Sequence, residues 1–217
     1  MIVSEKAKSL EERVYLSLRE EILEGKLVEG TALTECAVAA RLGVSRTPIR
    51  GALHRLSEEG LVEITPNRGA VVVGVNAEDL VDIYKIRMRL EGLASREAAV
   101  RISPEEKKML SDSVELSEFY IQKKDTEHLK ELDSRFHNII YKASGNRLLY
   151  ITLSDLHRKI KRYRKLSLSI DERLELSVKE HREILNAILN GDEEEADRLT
   201  ALHIEKALNN LLKVINQ

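Results

Sequence analysis

Apolar residues recur at helical spacing from the first stretch onward: Leu10, Val14, Leu18, Ile22 and Leu23 share one face, and Gly25 ends the run. This predicts a helix over 9–24. A short helix follows from a Thr34 cap to Leu42, with Gly43 as its stop, and Ser45 caps a third that closes at Gly60. Pro48 is tolerated there, because the first turn has no intrahelical partner for the missing N–H. LVEI and AVVVGV then read as two strands, and the intervening Thr65-Pro66-Asn67-Arg68-Gly69 has the composition of a hairpin turn. From Asn76 the strand signals vanish. Helices are predicted over 76–100, 104–123, 126–143, 147–167, 171–190 and 192–215, with short connections that imply an antiparallel bundle. The expected fold is mainly α: a winged helix-turn-helix over 1–75, then an all-helical domain of about six helices over 76–217.

Composition supports this reading. The chain has 217 residues, 42% of them hydrophobic, enough for a core in each of two domains, and it has three prolines and no tryptophan. No stretch approaches the roughly 20 apolar residues of a membrane span, and MIVSEKAKSLEERV carries charges where a signal peptide needs an apolar core. A cytoplasmic protein is expected. The single cysteine, Cys36, excludes an internal disulfide and a zinc ribbon, so any metal must be held by His, Asp or Glu. The net charge of −2 argues against indiscriminate nucleic-acid binding, but five arginines between positions 41 and 68 face three glutamates.

In the third helix Leu42, Val44, Ile49, Leu53 and Leu56 can face a small core, which leaves Ser45, Arg46, Thr47 and Arg50 projecting from the N-terminal end. That end is where a recognition helix meets base edges, and guanidinium forks pair with guanine or with phosphate. A solvated, arginine-rich surface helix is the bland alternative; the glycine breaks and the wing favour double-stranded DNA. The segment LTECAVAARLGVSRTPIRGALHRLSEEGLVEITPNRGAVVV resembles the winged helix of the GntR family of bacterial regulators. The resemblance implies that Ser45, Arg46, Thr47 and Arg50 contact bases and phosphates of an operator, with Arg68 and Gly69 at the wing tip. Cys36 stands where many members have an arginine, and Gly51 where a glutamate is usual.

In the helix predicted over 126–143, Asp133 and His137 fall within the apolar stripe of Leu129, Leu132, Phe136 and Ile140. Four residues apart, they are neighbours on one face and can share an ion. His181 lies among Leu174, Val178, Leu185 and Ile188, and His203 among Ala196, Leu199, Ala207 and Val214. Each alone is a candidate core histidine. Together, with a buried aspartate that lacks a cationic partner, they point to a divalent cation held by neutral imidazoles. His54, His128 and His157 read as surface or edge residues. The motifs ELDSRFHNII, KEHREIL and ALHIEKA resemble the FCD-type effector domain of the FadR subfamily, which implies that Asp133, His137, His181 and His203 form the metal set. Zn²⁺, Ni²⁺ and Mn²⁺ all suit these donors, with zinc preferred for its availability.

Arg87 lies on the buried stripe of Leu80, Ile83, Tyr84, Leu90 and Ala94. It is expected either to hold a small carboxylate effector together with the metal or to pair internally with Glu91. The basic run 157–165 reads as a solvated helix face, apart from Arg164, which shares the apolar side with Leu153 and Ile160. The leading expectation is a homodimeric, ligand-modulated regulator and not an enzyme. Its variants are a sensor of the metal ion itself and, from another class, a metal-dependent hydrolase.

Overall fold

The computed structural model describes residues 9–65, 68–167 and 171–215. Met1–Lys8 and the turn residues Pro66 and Asn67, both read above, lie outside the described residues. The chain forms two compact units, Met1–Asn76 and Ala77–Gln217.

The first unit contains α1 (Leu10–Leu23), β1 (Ala32–Leu33), α2 (Glu35–Leu42), α3 (Arg46–Glu58), β2 (Val62–Thr65) and β3 (Gly69–Val72). Ser9 caps α1 by accepting from the Glu12 amide, Thr34 caps α2 by accepting from Ala37, and Gly43 ends α2 in the left-handed region. Ser45 occupies the N-cap position of α3, but its hydroxyl makes no capping hydrogen bond, contrary to expectation. Leu18, Ile49, Leu56 and Leu61 are fully buried between the helices and the sheet. Glu59 clamps α1 to α3: it accepts from Arg19 Nε at 2.8 Å and from the Tyr15 hydroxyl, while the Arg55 guanidinium stacks 3.8 Å over the Tyr15 ring. Gly51 faces α1, where a Cβ would run into the Glu11 carboxylate, so the small residue admits that flexible side chain.

The sheet is antiparallel with order β1-β3-β2. β1 was not expected; with two residues it is too short for alternation to show. It gives Gly69 a structural task. Gly69 sits at φ +93°, and a Cβ there would come within 2.6 Å of the Leu33 carbonyl oxygen on the neighbouring strand.

The second unit contains α4 (Ala77–Arg101), α5 (Pro104–Lys123), α6 (Thr126–Ala143), α7 (Arg147–Lys159), α8 (Lys161–Ser167), α9 (Asp171–Asn190) and α10 (Glu193–Ile215). Ser103 and Glu106 close a capping box at the start of α5, and Asp125 and Asn146 cap α6 and α7. α4 packs along α10, with the side-chain-free Gly92 and buried Ala98 and Ala99 keeping the contact close and Thr200 donating to Ser95 Oγ at 2.7 Å. Phe136, Ile140, Leu153, Ile184, Leu185 and Ile188 fill the core.

The single helix expected over 147–167 is two. The break falls at Ile160, at φ −102° and ψ 7°, with its side chain fully buried. No glycine or proline marks it; burial of Ile160 and Arg164 fixes the geometry, and α8 starts afresh at Lys161.

Gly69→Ala combines a left-handed backbone with a collision against backbone that cannot move aside, so it should cost about 1–3 kcal/mol of stability. Urea unfolding of the full chain tests this; an unchanged midpoint would show that the wing needs no glycine there.

Candidate metal centre and nucleic-acid interface

Ser45, Arg46, Thr47 and Arg50 are all exposed at the start of α3, as is Arg68 before β3. A groove of about 470 Å³ runs between α2, α3 and the wing, lined by Arg50, His54, Arg68 and Gly69 together with Thr34, Glu35 and Cys36. It unites three of the expected DNA residues and leaves Ser45, Arg46 and Thr47 outside its lining. Arg50 is not loose: its Nε and Nη2 donate to the two carboxylate oxygens of Glu35 at 2.8 and 2.9 Å. The hydrogen bonds from Arg50 hold the Glu35 carboxyl below the usual range. The sequence reading missed Glu35, although its place in the first turn of α2 is plain.

In the second unit, Asp133, His137, His181 and His203 come from α6, α9 and α10, and all four are buried. One ligand atom from each lies within 4.8 Å of the others. The i, i+4 spacing brings the first pair together, with His137 Nε2 3.9 Å from Asp133 Oδ1, and His181 Nε2 reaches the same oxygen at 3.6 Å. Phe136 stacks on the His181 ring with centroids 4.0 Å apart. His181 Nε2 is buried and hydrogen-bonds to nothing among the described residues.

Two carboxylates outside this set orient it. His137 Nδ1 lies 2.8 Å from Glu91 Oε2, and His203 Nδ1 lies 2.7 Å from Glu180 Oε2. A proton on His203 Nδ1 satisfies Glu180 and leaves Nε2 as a lone-pair donor, the arrangement that supports a metal-ligating imidazole, while His137 Nδ1 faces Glu91 Oε2 as an ion-pair contact. Glu180 is also held by Arg173 Nη1 at 2.9 Å. Glu91 was foreseen only as a partner of Arg87, while Glu180 and Arg173 were not foreseen at all; Glu180 directly precedes His181, Arg173 lies two turns earlier on α9, and both look like surface charges in a helical pattern.

Arg87 is 1% exposed and forms the internal pair, with Nε and Nη2 at 2.7 and 2.6 Å from Glu91 Oε1. Its Nη1 is buried without a partner among the described residues. The premise that Asp133 lacks a cationic partner is corrected: Arg164, reaching in from α8, donates to Asp133 Oδ2. His157 is corrected as well. It is half-buried in the wall of the site, with Nδ1 3.3 Å from the Tyr141 hydroxyl and 3.0 Å from Arg164 Nη1. His128 and His54 are exposed, the former 2.7 Å from Asp125.

Burial, then the neighbouring histidines and arginines, pushes the His181 imidazole well below its ordinary value. Burial also lowers His203, against the pull of Glu180, and burial with Arg164 lowers His157 far. Burial raises Asp133, but the Arg164 guanidinium beside it lowers it, and the carboxyl lies below its usual range. For Glu180 burial is outweighed by His203 and Arg173, which bring it down to about 2. The lowered His181 and His203 are therefore neutral and Asp133 and Glu180 ionised at neutral pH, the protonation states a divalent cation requires.

Residues 82–206 match the FCD domain, and residues 10–72 match the bacterial regulatory proteins of the gntR family. The chain belongs to the GntR family. This GntR regulator is 27% identical over 195 residues to the HTH-type transcriptional repressor RspR of Escherichia coli K12, covering 90% of this chain and 86% of that protein. Its fold is shared by E. coli McbR/YncC, with a TM-score of 0.73, 23% identity, and coverage of 95% of this chain and 99% of that one. The metal-free FCD domain of TM0439 matches 63% of this chain and 94% of its own, at a TM-score of 0.54 and 22% identity. The relatives are transcription regulators, which sets aside the hydrolase reading. Among the described residues no helix is long and apolar enough to cross a membrane.

The lowered histidines fix the sign of the pH response. Above the ordinary imidazole value of 6.5 the folded and unfolded chains hold the same protons at these positions; below it the unfolded chain takes up protons that the folded one refuses. In a chelating buffer the thermal midpoint should be level from about pH 8 to about pH 7 and fall steadily toward about pH 5. A midpoint that holds or rises on acidification would show that these imidazoles are protonated in the fold.

Proposed function

We propose that this GntR regulator binds operator DNA through α3 and the wing and that a divalent cation in the FCD unit, with a small carboxylate effector, modulates that binding. The observation that carries the sensor half is the convergence of four buried donors, three of them imidazoles and two of these held by carboxylates, around an orphaned His181 Nε2. Asp133, His137, His181 and His203 would hold the ion. Their nitrogen and oxygen donors fit Zn²⁺, Ni²⁺ or Mn²⁺, with zinc preferred. The bound ion supplies a positive centre with coordination positions for a carboxylate oxygen. Arg87 donates to the same carboxylate through the Nη1 that no protein group satisfies.

Placement in the FadR subfamily, a cytoplasmic location and a two-fold homodimer belong to the same reading. A C2 dimer presents two recognition helices to a two-fold related operator, and an effector that binds one arrangement better shifts operator affinity. Arg46 and Arg50 read base edges or phosphates, Ser45 and Thr47 hold the backbone, and Arg68 with Gly69 approaches from the wing. A second reading makes the metal itself the signal. It draws on the inner cavity beside the ligands, which at about 20 Å³ is room for one water.

Titrating operator binding against Zn²⁺ or Mn²⁺, and then against small carboxylates at fixed metal, separates the readings. An effector sensor responds to the second titration, a metal sensor to the first alone, and indifference to both would leave the centre structural. His203→Ala should reduce bound metal, measured by elemental analysis, to a small fraction of stoichiometric; retained metal removes His203 from the ligand set. Arg46→Ala or Arg50→Ala should weaken operator binding by about ten- to a hundred-fold with the thermal midpoint of the FCD unit unchanged. Unaltered affinity would reject the recognition role.

A further inference from the structure

The cavity beside the proposed metal ligands has a second pole that the reading above does not use. Arg173 and Ser177, one turn apart on α9, line it together with Arg87, Arg164 and Tyr84. Arg173 and Ser177 are 5% and 3% exposed. Arg173 spends Nη1 on Glu180, but its Nε and the Ser177 Oγ are buried and hydrogen-bond to nothing among the described residues. Leaving such groups without an acceptor is costly, and buried polar groups in native proteins are nearly always satisfied. Among the described residues these donors have no acceptor, and they line a cavity that an anion could enter. Arg87 Nη1 is a third donor of the same kind on the same cavity.

Charge gives the same answer independently. Arg87, Arg164 and Arg173 face Glu91, Asp133 and Glu180 in three buried pairs, so the lining is balanced; Lys206 reaches Glu180 only from the solvent side. Imidazoles enter coordination neutral. A divalent cation then leaves two uncompensated positive charges in a low-dielectric interior, a costly imbalance that one monocarboxylate corrects only by half.

We infer that Arg173 and Ser177 form a second anion subsite and that the effector is a small dianion, one acidic group on the metal and Arg87 and the other on Arg173 and Ser177. The subsite rests on the metal reading above. Space for such a molecule lies next door: a cleft of about 350 Å³ between α6 and α8 shares Asp133 and Arg164 with the inner cavity. Turning the Arg164 guanidinium away from Asp133 would free the carboxylate for the ion and open the wall that the inner cavity shares with the cleft.

The test uses the full-length protein loaded with Zn²⁺ or Mn²⁺, its metal content measured first, and compares acetate, malonate and succinate by calorimetry and thermal shift. Malonate or succinate should bind at least about ten-fold more tightly than acetate. Ser177→Ala should shrink that advantage without changing metal content; Arg173→Gln should shrink it further, its affinities compared at equal metal loading because the variant also frees Glu180 beside His203. Ser177→Ala removes one oxygen and keeps the subsite testable if Arg173→Gln fails to fold. Equal affinity for acetate and the dianions in metal-loaded protein, or a dianion preference that both variants retain, overturns the subsite and leaves the metal reading standing. Absence of metal uptake overturns both.

Discussion

The FCD unit depends on one constraint: charges inside a helical core must cancel. Arg87, Arg164 and Arg173 are each buried, and each is matched to a buried carboxylate, Glu91, Asp133 or Glu180. Such pairs contribute little net stability, since desolvation consumes most of the Coulomb gain, but removing either partner exposes the other to the full penalty. The pairs that cross between helices, Arg164 with Asp133, His137 with Glu91 and His203 with Glu180, tie α8 to α6, α6 to α4 and α10 to α9. α4 brings Arg87 and Glu91, α6 brings Asp133, α8 brings Arg164, and α9 brings Arg173 and Glu180, so the imidazoles of α6, α9 and α10 have little choice about where their Nε2 atoms point.

The two units use the same residue types to opposite ends. At the start of α3 and along the groove, Arg50 and its partner Glu35 are in contact with water, and a pair of that kind is worth little in stability. In the proposed operator complex its value would be availability: solvent screens the guanidinium, and a phosphate or a guanine edge would replace the carboxylate at modest cost. Glu35 meanwhile restricts Arg50 to one side of the groove. In the FCD unit the same chemistry without water leaves each guanidinium bound to its carboxylate until something of equal charge enters.

Periodicity made much of this legible. The helical stripes that carry Asp133 and His137, His181, and His203 inward are visible as polar letters in apolar positions, and the glycine and cap signals divide most helices correctly. What sequence pattern does not carry is tertiary override. The break at Ile160 has no proline or glycine, because packing of Ile160 and Arg164 causes it rather than any local preference. β1 exists only because β3 offers it partners. Arg173 and Glu180 sit seven residues apart, two turns of α9, and no helical stripe announces that α10 will cover them. His157 was hidden by its basic neighbours, which point outward while its own ring turns toward Tyr141 and Arg164.

A balanced, nearly dry cluster is also well suited to register arrivals. In water a divalent ion is screened within a few ångströms, whereas in an interior of low dielectric it acts on every paired charge around it. Asp133 cannot serve both Arg164 and an ion at full strength, so coordination weakens one pair and obliges the guanidinium on α8 to find another anion. An anion that satisfies it changes what holds α8 to α6. Under the proposed function the response to a ligand would be an exchange of partners among groups already placed, with no long-range deformation of the core: the apolar contacts of Phe136, Leu153 and Ile184 would stay as they are while the charged layer beside them changed state.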